Sequence, residues 1–187
     1  MSPSGRQSIP LAAFSYLSYL RSQRILNGDP ASGTMPSDSE LALSRNRLLS
    51  SATAFCEAFS RSVPPQDILA EHFTRHARNI LVHEHGLAQL APFVGRTFRG
   101  ADGLLQYLSV IGDCLSYENM RFTEYVVDPE ARKVSVRGEA RFTWQSTGQS
   151  WDEVFTYVLG FDEEMRVERY EIWADSGAAW LASRGEL

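Results

Sequence analysis

Apolar positions recur with two different periods along this chain, and the change of period predicts where helix gives way to sheet. From Ser44 onward, Leu48, Leu49, Ala52, Phe55, Cys56 and Phe59 keep helical spacing until Pro64 and Pro65 stop the run. A second short helix is expected over residues 66–73, and residues 79–85 read as a strand. Residues 86–100, with Pro92 and glycines, read as irregular, and 101–117 as a helix striped by Leu104, Leu105, Leu108, Ile111 and Leu115. Beyond that the period shortens to two. Residues 120–127 begin a strand run, 128–133 carry a turn signal, and 133–175 read as two successive hairpins. Helices, one strand, a further helix and then a strand meander predict an α+β domain with its helices on one side of a curved antiparallel sheet.

Ahead of this domain, assigned to residues 44–187, lies an extension of residues 1–43. Leu11, Phe14, Leu17 and Leu20 give its residues 11–26 an amphipathic helical pattern, and 27–39 form a linker rich in Gly, Pro, Ser and Asp.

Counting outward from a two-residue turn at Thr147 and Gly148 sets a register for the first hairpin. Trp144 faces Trp151, Phe142 faces Glu153, Ala140 faces Phe155, Gly138 faces Tyr157 and Val136 faces Leu159, all on one side. A second turn at Glu163 and Glu164 pairs Leu159 with Glu168, Tyr157 with Tyr170, Phe155 with Ile172 and Glu153 with Ala174. Trp144, Trp151, Phe142, Phe155, Tyr157, Tyr170 and Ile172 then line one concave face with a lone carboxylate, Glu153, and with Glu168 at the rim. Trp173, Glu171 and Val154 point outward.

Composition narrows the function classes. The 187 residues suit one domain with a sizeable core, and 43% hydrophobic with 22% charged residues is an ordinary soluble balance. A net charge of −5 without a Lys/Arg cluster speaks against nucleic acid and against anionic membrane surfaces. No run approaches the ~20 apolar residues of a membrane span. Polar and basic residues interrupt 11–26 as a signal sequence, and Cys56 and Cys114 sit in apolar helical patterns as free thiols, so a reduced, cytoplasmic protein is expected. Phosphate-binding loops, nucleophile elbows and Cys-x-x-Cys pairs are missing from the sequence, and no cofactor is expected.

The layout, together with the segments His83-Glu84-His85-Gly86, Pro92-Phe93-Val94-Gly95-Arg96-Thr97-Phe98-Arg99-Gly100 and Arg166-Val167-Glu168-Arg169-Tyr170-Glu171-Ile172-Trp173-Ala174-Asp175, resembles the NTF2-like superfamily in its SnoaL-like branch, fungal members in particular. The resemblance implies a cone-shaped α+β barrel, a curved sheet wrapped around the N-terminal helices with an apolar pocket at one end, and often a dimer through outer sheet faces. Its members include polyketide cyclases of secondary metabolism, isomerases, dehydratases, epoxide hydrolases and proteins without catalysis. Some carry a catalytic aspartate just before the aspartate that ends the last strand. Ile172 and Ala174 occupy the inward positions here, which makes an epoxide hydrolase doubtful, and Asp175 faces outward by alternation.

Candidate chemistry follows from the apolar face. A carboxylate there is costly to ionise, so Glu153 is expected to have a raised pKa suited to acid–base work. His83 and His85 share one face of their strand and Glu84 the other, two ligands without a third, so no metal site is expected unless His72 or His76 approaches. One of Glu84 and His85 partners Glu153, and alternation does not decide which. Tyr157 and Tyr170 are candidate oxyanion donors. Phe142, Trp144, Trp151, Phe155, Ile172 and Tyr125 are expected to contact ligand, with Glu124 the alternative to Tyr125. The expected function is cofactor-independent proton transfer on a small apolar or aromatic, carbonyl-bearing metabolite, of cyclase, isomerase or dehydratase type. The alternative is a non-catalytic binding or dimerisation module. A homodimer is expected through Trp173, Val154 and Val158 on the outer face.

Overall fold

In a computed structural model, residues Ser37–Leu187 are described, and they form one compact unit. The expected helix at 11–26 lies outside the described residues. Helix α1 spans Asp38–Ser60 and starts six residues before Ser44. Its cause is a capping box: the Ser37 hydroxyl accepts from the Glu40 backbone N–H at 3.3 Å, and the Ser37 N–H donates to Glu40 Oε2 at 2.8 Å. Ser37, Asp38 and Ser39, the last residues of the supposed linker, therefore cap and start the helix. Pro65 sits at the first position of α2 (Pro65–His72), where its missing N–H costs nothing.

A 3₁₀ turn at Ala77–Asn79 leads into β1 (Leu81–His85), followed by β2 (Thr97–Arg99), α3 (Gly100–Cys114), β3 (Leu115–Asp128), β4 (Lys133–Trp144), β5 (Ser150–Phe161), β6 (Val167–Trp173) and α4 (Ser176–Arg184). The strands form one open sheet in the order β2-β1-β6-β5-β4-β3. The sheet is mixed, not wholly antiparallel, because β1 runs parallel beside β6. Strand β2 lies inside the stretch read as irregular, too short to show a period. Helix α3 gives way at Leu115, so the last residues assigned to it are extended. Helix α4 had no sequence assignment; Asp175 caps it through a bond from the Ala178 N–H at 3.0 Å, and Gly185 at φ 73° ends it.

Both hairpins keep their expected faces but slip by two residues. The β4–β5 loop closes with bonds from Trp144 N to Gln149 O and from Gly148 N to Trp144 O, both 2.8 Å, so four residues turn the chain instead of two. Phe142 thus faces Trp151, Ala140 faces Glu153, Gly138 faces Phe155 and Val136 faces Tyr157. At the next turn Asp162 Oδ1 accepts from the N–H groups of Glu164 and Arg166, both at 2.9 Å, and Met165 takes a φ of 62°. Tyr157 then faces Ile172 and Leu159 faces Tyr170. A slip of two leaves every side chain on its original face, whereas a slip of one exchanges the faces.

Two register shifts in β3, with Asn119 at φ 58° and Glu124 at φ 56°, add local bend to that edge of the sheet. Across the concave side lies α1, which buries Leu48, Ala52, Phe55, Cys56 and Phe59. Phe55 meets Phe59, Phe73 and Tyr170 with ring centroids 5.1, 5.6 and 5.3 Å away, in edge-to-face arrangements. The opposite face is laced with ion pairs, Arg137 to Glu139 at 2.8 Å, Arg141 to Asp152 at 3.2 Å and Arg121 to Glu139 among them. Exposed pairs of this kind contribute little stability.

Phe55 has no exposed surface, so Phe55→Ala is expected to cost about 3–5 kcal/mol, read as a lowered urea midpoint at unchanged slope. A loss below about 1 kcal/mol would remove Phe55 from the centre of the core.

Candidate active site: two acids in an aromatic cavity

A cavity of about 230 Å³ lies between the concave face, α1, α2 and α3. From the sheet it is lined by Phe142, Trp151, Phe155, Tyr157, Tyr170 and Ile172, and from the helical side by Phe59, Ile68, Leu108 and Ile111. Its acidic groups are Glu84, Glu153 and Asp175.

Strand β1 alternates, with Val82 and Glu84 buried while Leu81, His83 and His85 are half-buried on the other side. Its parallel register fixes this, placing Glu84 beside Ile172 and His85 beside Trp173. The choice between Glu84 and His85 is thereby made in favour of Glu84. His85 does not reach the cavity: it stacks on Trp173 at 3.9 Å between centroids, with an interplanar angle of 11°, and its Nε2 lies 3.5 Å from Glu171 Oε1. His83 bonds Thr97 through Nδ1 at 3.0 Å, and His72 packs its edge against Phe55. Among the described residues no three His, Cys, Asp or Glu side chains gather to hold a metal ion.

Glu84 is 6% exposed and accepts a bond from the Tyr107 hydroxyl at 2.8 Å. Burial pushes its carboxyl up to about 7, the Tyr107 bond pulls against that shift, and the charge of Glu153 adds to it. Tyr107 went unnoticed in the sequence, although it falls three residues after Leu104 on the buried side of α3. Glu153, 8% exposed, is held from two sides: Trp151 Nε1 donates to Oε2 at 2.5 Å, and the Asp175 backbone N–H donates to Oε1 at 2.7 Å. Burial raises its pKa as well, and these two donors moderate the rise. None of Arg96, Arg99 and Arg121 forms an ion pair with Glu153.

Tyr157 and Tyr170 are not direct cross-strand partners, yet their rings meet diagonally at 4.9 Å, nearly perpendicular. Burial raises both phenols, and that of Tyr107, so all three stay protonated at neutral pH. Besides His85, the expected positions Trp144, Tyr125, its alternative Glu124, and Glu168 fall outside the cavity. Trp144 is buried but turns its Nε1 to Ser146 at 3.0 Å. Tyr125 faces α1 beside Cys56 and Thr53, while Glu124 pairs with Arg137 on the outer face. Glu168 is no part of the lining. Asp175, expected outward, lines the cavity instead, because the strand ends at Trp173 and alternation no longer governs it.

No family model matches this sequence, and no curated protein matches it. Solved structures do. A protein of unknown function described as NTF2-like, from Burkholderia pseudomallei, superposes with a TM-score of 0.59 over 70% of this chain and 92% of its own, at 17% identity. The chain has the NTF2-like fold. A protein assigned as a SnoaL-like polyketide cyclase from Jannaschia sp. CCS1 shares this NTF2-like fold at TM-score 0.61 and 12% identity, covering 80% of this chain and 96% of that one. BvnE pinacolase from Penicillium brevicompactum shares it at TM-score 0.54 and 18% identity, over 72% and 89% of the two chains. Resemblance at these identities extends to architecture, and the chemistry of this NTF2-like cavity rests on its own residues.

Glu84 ionises near 4.5 in an unfolded chain and near 7 in the fold, so between those values the folded state holds the extra proton. Its contribution to stability is complete below the lower value and is lost as pH rises through the upper one. Glu84→Gln is expected to flatten the pH dependence of unfolding between 4.5 and 7 by about 3 kcal/mol relative to wild type, measured by urea denaturation across that window. Parallel curves for the two proteins would show that Glu84 titrates normally.

Proposed function

We propose that this cavity carries out cofactor-independent proton transfer on a small apolar, carbonyl-bearing metabolite, in a cyclisation, isomerisation or dehydration. One observation carries the proposal: two carboxyls, Glu84 and Glu153, face a single aromatic cavity, and neither has a cationic partner among the described residues. Their surroundings divide the roles. Two N–H donors favour the carboxylate of Glu153, making it the base; Glu84, with one phenol and a pKa of about 7, keeps its proton near neutrality and is the acid. Glu153 takes a proton from the carbon beside the carbonyl while Glu84 gives its own to the carbonyl oxygen, forming an enol. Delivery of the proton on Glu153 to another carbon completes an isomerisation, its delivery to a β-hydroxyl that leaves as water completes a dehydration, and attack of the enol carbon on a second carbonyl of the same molecule, whose oxygen takes that proton, closes a ring; in each case the enol O–H returns its proton to Glu84.

Tyr107 holds Glu84 in place, and Tyr157 and Tyr170 supply neutral hydroxyls close to the developing oxyanion. His85 has no part in this scheme, since it lies on the other side of the sheet. The architecture shared with a pinacolase and with a protein assigned as a polyketide cyclase supports small-molecule chemistry of this kind. A non-catalytic binding module is favoured by a separate observation: both oxygens of Glu153 are already engaged, one by Trp151 and one by Asp175, as a purely structural acid would be.

Native mass spectrometry of protein purified from its own host identifies a bound metabolite. With that compound, Glu153→Gln is expected to leave binding intact and to lower turnover at least ~10²-fold. Turnover equal to wild type would assign Glu153 to structure and favour the binding module.

The outer face offers Val154 at 57% and Trp173 at 43% exposure, with half-buried Val158 two positions along β5 from Thr156, the residue that Trp173 faces, and pairing of two copies through this patch belongs to the same proposal. Trp173→Lys is expected to convert a dimer to a monomer in sedimentation equilibrium. A wild-type chain that sediments as a monomer at tens of micromolar contradicts the pairing.

A further inference from the structure

The floor of the cavity is built around an absent side chain. Gly138 on β4 stands directly opposite Phe155 on β5 and opposite Phe122 on β3. A Cβ placed on Gly138 would lie 2.2 Å from Phe155 Cε2, 2.4 Å from Cζ and 2.8 Å from Cδ2. The Phe155 ring therefore lies down across the bare backbone of Gly138, and it can do so only because there is no methyl beneath it.

Neighbouring rings leave it little sideways freedom. Phe122 meets Phe155 at 5.9 Å edge-to-face, Phe142 does so at 5.9 Å from along the strand, and Tyr157 lies at 5.0 Å on the other side. Below is the sheet, and the open side is the cavity, which Phe155 lines. Ordinary contact with a Cβ begins at 3.4 Å, so a methyl at 138 displaces the ring by more than 1 Å, upward into the ligand space. Space there is scarce, since about 230 Å³ falls below the ~300–1,000 Å³ of drug-sized ligand sites.

We infer that Gly138 is a specificity-determining residue: by letting Phe155 lie flat it sets the depth of the cavity, and with it the thickness and ring count of the flat apolar ligand the cavity admits. The inference rests on the cavity being the ligand site, as proposed above, and is independent of whether Glu153 and Glu84 catalyse. The neutral phenols 2-naphthol and the larger 9-phenanthrol serve as probes, titrated by calorimetry against the full chain with thermal unfolding as the check on folding. Gly138→Ala is expected to weaken 9-phenanthrol binding at least tenfold and 2-naphthol binding less. Phe155→Ala in the same chain removes the displaced ring and is expected to restore 9-phenanthrol binding to the level of Phe155→Ala alone.

The double variant is also the safeguard, because it lacks the collision, and Phe155→Ala alone shows whether the chain folds without that ring. Equal affinities of wild type and Gly138→Ala for both probes overturn the inference, as does a double variant that folds but fails to regain 9-phenanthrol. If the wild-type chain binds neither probe, the ligand-site reading falls together with this one. If it binds them and Gly138→Ala changes nothing, this inference alone is lost.

Discussion

A sheet that bends around a helix must fill its concave side with side chains of the right volume, and here rings fill it. Phe55 and Phe59 from α1 interlock with Tyr157 and Tyr170 from β5 and β6, all at edge-to-face or tilted angles. Aromatic groups bury large areas with few rotatable bonds, which suits a core assembled from elements distant in sequence. The same rings continue toward Phe142 and Trp151, where the helices no longer cover them, and the core opens into the cavity. Core and cavity wall are thus one surface, packed at one end and open at the other.

In such surroundings ionised groups are expensive, and the fold admits two. Each acid has compensation short of a countercharge. Tyr107 supplies one hydroxyl to Glu84; an indole and a backbone amide serve Glu153. Arginine partners would have fixed both as permanent anions. Neutral donors leave the proton inventory of the cavity adjustable near neutral pH, and their unequal number separates two residues of identical chemistry.

Face membership was legible in the sequence, while partners were not. Alternation put Phe142, Trp151, Glu153, Phe155, Tyr157, Tyr170 and Ile172 on a single side, and they line the cavity. Cross-strand pairs depended on turn length, and four residues instead of two in the β4–β5 loop moved every pair without moving any face. Where apolar residues stand on both sides of a strand, as with Leu81 and Val82 in β1, alternation was silent about Glu84; only the neighbouring strand β6 settles it, and that contact joins residues some ninety positions apart. Trp144 was lost to the cavity because it sits at the end of its strand, where the turn recruits its indole. Asp175 was assigned to the outer face for the converse reason, lying just beyond the last strand position to which a period of two applies.

The bond from the Asp175 amide to Glu153 ties the cavity to the end of the chain. Asp175 spends its N–H on that carboxylate and its own side chain on capping α4, so the final helix is anchored at its first turn by a residue that also lines the cavity. Proton occupancy at Glu153 and docking of α4 are linked in both directions, as any two events sharing one bond must be. A molecule that takes over Oε1 of Glu153 therefore also acts on the tether of the C-terminal helix, and the seating of that helix becomes a reporter of what the cavity holds.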